Sequence, residues 1–109
     1  MLKMKREDFE TLVLEALERI PEEFRRKMQN VEILVEPQSS PSSVLGLYQG
    51  IPFSKRGIYY SAVLPDKIVL YQKPIESMCR TREDIKRAVR EVIVHEIGHY
   101  FGLSENDLS

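Results

Sequence analysis

Between Glu7 and Ile20 the apolar positions Phe9, Leu12, Val13, Ala16, Leu17 and Ile20 fall three and four residues apart. That spacing places them on one stripe of an amphipathic helix. Pro21-Glu22-Glu23 opens a second, short helix, because proline suits a first turn and acids complement the positive end of the helix dipole. Phe24 and Met28 of this helix are expected to face the core. The period then changes. Val31-Glu32-Ile33-Leu34-Val35-Glu36 is β-branched and partly alternating, which predicts a strand ended by Pro37. Gln38 to Ser43 is polar, dense in Ser and Pro and without periodicity, and reads as a surface loop.

Further on, Val44 to Pro52 is apolar but interrupted by Gly46, Gly50 and Pro52, which suggests a short edge strand followed by a turn. Ile58 to Val63 and Lys67 to Gln72 each predict a strand. Leu64-Pro65-Asp66 between them is turn chemistry, so the pair is expected to form an antiparallel hairpin. The last pattern is helical again. Thr81 is placed as N-cap, Glu83 and Asp84 lie in the first turn, and Ile85, Ala88, Val89, Val92 and Ile93 form the apolar face. This helix is expected to run to about Phe101 and to stop at Gly102, which can take the left-handed conformation. The elements describe an α+β fold: a small mixed sheet of three or four strands packed with an N-terminal and a C-terminal helix.

Composition narrows the picture. With 109 residues, 42% apolar and 30% charged, the chain suits one folded domain spanning residues 1–109. No stretch approaches the roughly 18 uninterrupted apolar residues of a spanning helix, and no apolar segment follows the basic N-terminal residues as in a signal peptide. A cytoplasmic location is therefore expected. Sixteen basic against 17 acidic residues leave a net charge of -1, which offers no general attraction to nucleic acid or to a membrane surface. Cys79 is the single cysteine, which excludes an intramolecular disulfide framework and reads as an inert, partly buried thiol.

The candidate chemistry lies on the last helix. The chain has two histidines, and both fall in His95-Glu96-Ile97-Gly98-His99. On a helix, residues four apart share a face with Cβ atoms about 5–6 Å apart, so both imidazoles can converge on one zinc ion. Glu96, rotated by about 100° from His95, is displaced from the ligand pair yet within reach of a water on the metal, the position of a general base. A metal-bound water has its pKa lowered towards about 7, and a carboxylate that takes its proton makes a nucleophile for a polarised carbonyl. The expected reaction is hydrolysis of an amide or related bond, in a peptide or protein substrate. A non-catalytic zinc-binding module that presents its edge strand or Ser/Pro loop to a protein partner fits the same ligands.

A catalytic zinc usually takes three protein ligands and keeps one position open. Too little chain follows His99 for a further helix to supply one. The candidates are Glu105 and Asp107 in the tail, with Asp66 or Glu36 as acids returned by the sheet. Gly102 would let the chain turn sharply after the helix and bring the tail back to the metal; of the tail acids Glu105 is favoured over Asp107 for the motif resemblance that its position carries. Tyr100, Tyr59, Tyr60 and Arg56 could each donate to a developing oxyanion.

His95-Glu96-x-x-His99-x-x-Gly102-x-x-Glu105 resembles the elongated metzincin motif, with Glu in place of the third histidine and without the methionine-containing turn. Together with Leu45-Gly46-Leu47-Tyr48-Gln49-Gly50-Ile51-Pro52, Ile68-Val69-Leu70-Tyr71 and the continuation Tyr100-Phe101-Gly102-Leu103-Ser104, it makes nearly the whole chain similar to the small bacterial zincin-like metallopeptidase family. The resemblance implies a minimal zincin-like fold, a zinc at His95 and His99, Glu96 as catalytic acid and base, and an acidic ligand at Glu105. An edge strand that holds the peptide by main-chain pairing would come from Ile58 to Val63 or from Leu47-Tyr48.

Overall fold

A computed structural model describes residues 3–28, 30–39, 41, 43–50 and 65–103. Helix α1 spans Arg6–Glu18 and buries Phe9, Leu12, Val13 and Ala16, the stripe set by the three- and four-residue spacing. It ends two residues short of Ile20. Arg19 and Ile20 donate backbone bonds to Ala16 and Leu17 in a tightened last turn, and Leu17 and Ile20 pack partly buried against the core. Helix α2, Glu22–Lys27, has acids in its first turn and Arg25, Arg26 and Lys27 in its last, so its charges complement its dipole.

The expectation that Phe24 faces the core is corrected, since no residue of α2 is buried and Phe24 is 41% exposed. Its ring instead meets Phe101 edge-on, with centroids 5.8 Å apart. Met28, just beyond the helix, does pack against the core.

Strands β1 (Val31–Glu36), β2 (Gly46–Gln49) and β3 (Asp66–Tyr71) form a mixed sheet of order β1-β3-β2. β3 runs parallel to β1, pairing Val31 with Asp66 and Glu36 with Tyr71, and antiparallel to β2, pairing Gly46 with Leu70 and Tyr48 with Ile68. The 58–63 half of the expected hairpin lies outside the described residues. Gln72 does not extend β3; it begins helix α3, Gln72–Ser77. Pro74 is compatible with that helix, because a proline in the first turn forfeits no intrahelical bond: those N–H groups have no partner within the helix.

Helix α4 spans Arg82–Tyr100 and begins with a reciprocal cap: Thr81 Oγ1 accepts from the Asp84 N–H, and the Asp84 carboxylate accepts from the N–H of Thr81. Its buried stripe includes Ile85, Val89, Val92, Ile93 and Ile97. These side chains join α1, Val35 of β1 and Ile68 and Leu70 of β3 in one core. Full burial of residues such as Phe9, Ile68, Leu70, Ile85 and Ile93 contributes about 1.5–3 kcal/mol each. α4 packs on α1 and on strands β2 and β3, so the sheet face that buries Ile68 and Leu70 fixes the rotation of the helix and the direction its other side chains take. Among the described residues no helix is long and apolar enough to cross a membrane.

Candidate metal centre

The rotation that buries Ile93 and Ile97 leaves His95 and His99 half-buried at the boundary of the α4 stripe, with Glu96 turned inward at 6% exposure. Side-chain donor atoms of His95, Glu96 and His99 all lie within 4.8 Å of one another. The two imidazoles stand edge-on, with centroids 4.9 Å apart and planes at 82°. One helical turn therefore gathers two imidazoles and a carboxylate, the ligand types that suit a divalent metal of zinc type.

The end of the helix orients one of these donors. Gly102 has φ +91, and its N–H reaches the His99 carbonyl at 2.9 Å while the Leu103 N–H reaches the Gly98 carbonyl at 3.0 Å. This is a Schellman cap, in which a left-handed residue turns the chain back across the last turn. The reversal brings the Leu103 carbonyl oxygen 2.9 Å from Nδ1 of His99. A carbonyl only accepts, so Nδ1 is the donor in this bond, and Nε2 is the ring nitrogen that a metal would use. The position of Gly102 was readable from sequence. The carbonyl it delivers follows from the cap geometry and was not singled out.

Gly46 is a second position whose role sequence reading missed. An added Cβ there would lie 2.6 Å from Cγ1 of Val92, 3.2 Å from the Val69 carbonyl oxygen and 3.3 Å from Cγ of Glu96. The glycine thus lets β2 approach α4 beside the inward carboxylate. A glycine inside an apolar strand pattern signals such close approach as well as a break.

Other candidates separate from this cluster. Asp66 is 3% exposed and accepts from the Tyr48 hydroxyl at 2.7 Å, and Tyr48 packs edge-on against Tyr100. Glu36 is exposed at the far end of β1, opposite Tyr71. Neither belongs to the donor group that the described residues form around His95 and His99. Tyr100 is fully buried and donates to the Lys27 carbonyl at 3.1 Å, which ties the end of α2 to the end of α4. Glu105, Asp107, Tyr59, Tyr60 and Arg56 lie outside the described residues. Cys79 is buried at 5% exposure, and its thiol donates to the Ile75 carbonyl at 3.3 Å. Burial first, then the carboxylate of Asp84, push that thiol above its ordinary pKa.

Comparison with known proteins agrees with this geometry. The chain is similar to a conserved hypothetical protein from Thermo thermophilus, with 25% identity and a TM-score of 0.61 over 88% of this chain and 92% of that one. No curated protein matches it. The model of the zincin-like metallopeptidase family matches residues 26–109, a span that contains the whole described sheet and α4. On that match, which covers well over half of its length, the chain belongs to the zincin-like metallopeptidase family.

Proposed function

We propose that the protein is a zinc-dependent peptidase in which His95 and His99 hold the metal and Glu96 is the general base. The observation that carries this reading is the placement of Glu96: it is buried, yet its carboxylate shares a 4.8 Å cluster with both imidazoles. When bound, zinc would supply Lewis acidity, lowering the pKa of a coordinated water towards about 7 and polarising a carbonyl.

The residues of the chain do the rest. The Leu103 carbonyl fixes the tautomer and ring orientation of His99. Glu96, beside which Gly46 lets β2 pass close to α4, accepts a proton from the attacking water and returns it to the departing amine. Glu105 is the proposed third ligand, reached through the turn at Gly102, with Asp107 as the alternative. A substrate peptide in extended conformation would lie along the β2 side of the sheet, beside Glu96, and pair through its main chain.

The test uses zinc-loaded protein and a broad peptide library. Hydrolysis is expected, and Glu96→Gln should lower it by about 10²–10⁴-fold while leaving the bound zinc in place. Zinc retention without hydrolysis of any library member, or an unaltered rate in Glu96→Gln, would refute catalysis and leave a non-catalytic zinc-binding module. Equal zinc in the parent protein and in His99→Ala would remove the site itself. Glu105→Ala should weaken zinc retention far more than Asp107→Ala does, and the reverse order would reassign the ligand.

A further inference from the structure

A cavity of about 680 Å³ opens where Tyr71 passes into α3, at the end of β3 away from Asp66. Its walls are tied to one another by hydrogen bonds. The Lys73 N–H reaches the Pro37 carbonyl at 3.0 Å, and the Arg6 guanidinium donates to the Val35 carbonyl. Oε2 of Glu76 accepts from the Met4 N–H at 2.9 Å and from Nε2 of Gln72 at 3.1 Å, and Nε2 of Gln72 also donates to the Met4 carbonyl at 2.9 Å.

Glu76 and Gln72 are only 4% and 8% exposed, and both line the cavity. Among the described residues Oε1 of Glu76 accepts no hydrogen bond, and no cation forms an ion pair with this carboxylate. Oε1 is not enclosed, since among the described residues Arg90 Nε is the buried side-chain atom that lacks a partner; it faces the cavity that Glu76 lines and can take a donor from solvent or from a ligand. The rim carries the opposite sign, with the exposed side chains of Lys3, Arg6 and Lys73.

We propose that this cavity binds a zwitterion, a free amino acid or short peptide, whose ammonium group donates to Oε1 of Glu76 and whose carboxylate lies among Lys3, Arg6 and Lys73. The charge arrangement selects this class: a purely anionic ligand is repelled by Glu76, and a polycation is repelled by the rim. The volume falls within the roughly 300–1,000 Å³ typical of small-molecule sites. The site stands apart from His95 and His99 and does not depend on the catalytic reading.

The experiment titrates trialanine into the full chain without added zinc, so that no peptide is cleaved, and follows backbone amide resonances. Shifts are expected at Met4, Gln72, Lys73 and Glu76. N-acetyl-trialanine, which lacks the ammonium, and trialanine amide, which lacks the carboxylate, should each bind about ten-fold or more weaker. Glu76→Gln keeps an acceptor oxygen for Met4 and Gln72 and should weaken binding by a similar factor; Lys73→Gln, at an exposed position, should weaken it several-fold without disturbing the fold. Shifts confined to the His95–His99 turn, equal binding of the acetylated peptide, tighter binding of inorganic phosphate, or no shift at about 10 mM trialanine would each overturn the proposal.

Discussion

Substituting Gly46 by alanine probes the contact between sheet and helix beside Glu96. The added methyl would stand 2.6 Å from Cγ1 of Val92 and 3.3 Å from Cγ of Glu96. Carbon atoms in contact settle at about 3.5–4.0 Å, so the Val92 contact must open by roughly 1 Å. The Val69 carbonyl oxygen, 3.2 Å away, belongs to the neighbouring strand and is backbone, so the methyl cannot escape in that direction. Overpacking of this kind costs about 1–3 kcal/mol. Against it stands a gain of about 0.4–1 kcal/mol from the stiffer unfolded chain. The clash wins, and the net loss should be about 1–2 kcal/mol, a fall in Tm of several degrees for a domain of this size.

The double variant Gly46→Ala/Val92→Ala isolates the cause. Val92→Ala removes the methyl that collides, so the double variant should be more stable than the sum of the single losses by about 0.5–3 kcal/mol. Urea denaturation followed by circular dichroism, with unchanged m-values, measures all four corners of the cycle. Strict additivity, or a Gly46→Ala variant as stable as the parent, would show that β2 and α4 do not meet as described.

Gly102→Ala places a Cβ at a left-handed position, φ +91, and should cost about 1–2 kcal/mol. Because the same turn holds the Leu103 carbonyl on His99, zinc retention against a competing chelator should fall by about 10–100-fold; an unchanged retention would separate the cap from the ligand. Backbone hydrogen bonds from Arg80 and then Thr81 hold the Asp84 carboxyl below its ordinary pKa of 3.8. A depressed folded-state value means stabilisation that is complete above 3.8 and lost as pH falls below it through the folded-state value. The drop in Tm with acidification should therefore be shallower in Asp84→Asn in that acid window, and identical profiles would refute the contribution of the cap. Cys79, buried and hydrogen-bonded, should resist a disulfide reagent at pH 7 and react only as fast as the protein opens; immediate labelling of native protein would contradict its placement.

Much of this was legible in the residues, for identifiable reasons. Phe9 to Ala16 and Ile85 to Ile97 repeat with a single period and face one core, so local pattern and tertiary packing agree. The Thr81 cap and the Gly102 stop were readable because each depends on one residue type. His95, Glu96 and His99 meet on one turn, where helix geometry alone brings them together. What could not be read depends on contacts distant in sequence. Phe24 lies against Phe101, Gly46 against Val92, and Gln72 against Met4. No periodicity within a segment records such pairs. The start of α3 was hidden for a different reason: a proline such as Pro74 breaks a helix interior yet is tolerated in a first turn, and only the position of the boundary distinguishes the two.

The order β1-β3-β2 sets a sequence of events for the chain as it folds. The two strands that come first do not pair with each other; each waits for β3, to which Val31 is joined at Asp66 and Leu47 at Val69. Closing such loops costs entropy before any pairing energy is returned, and high contact order slows folding. The turn carrying His95 and His99 can form locally as helix, but the seat for Glu96 does not exist until β3 has placed β2 over it. The approach of the two histidines and the burial of Glu96 are thus separable in time, and a chain trapped before β3 docks would carry both histidines on a helix whose carboxylate still faces water.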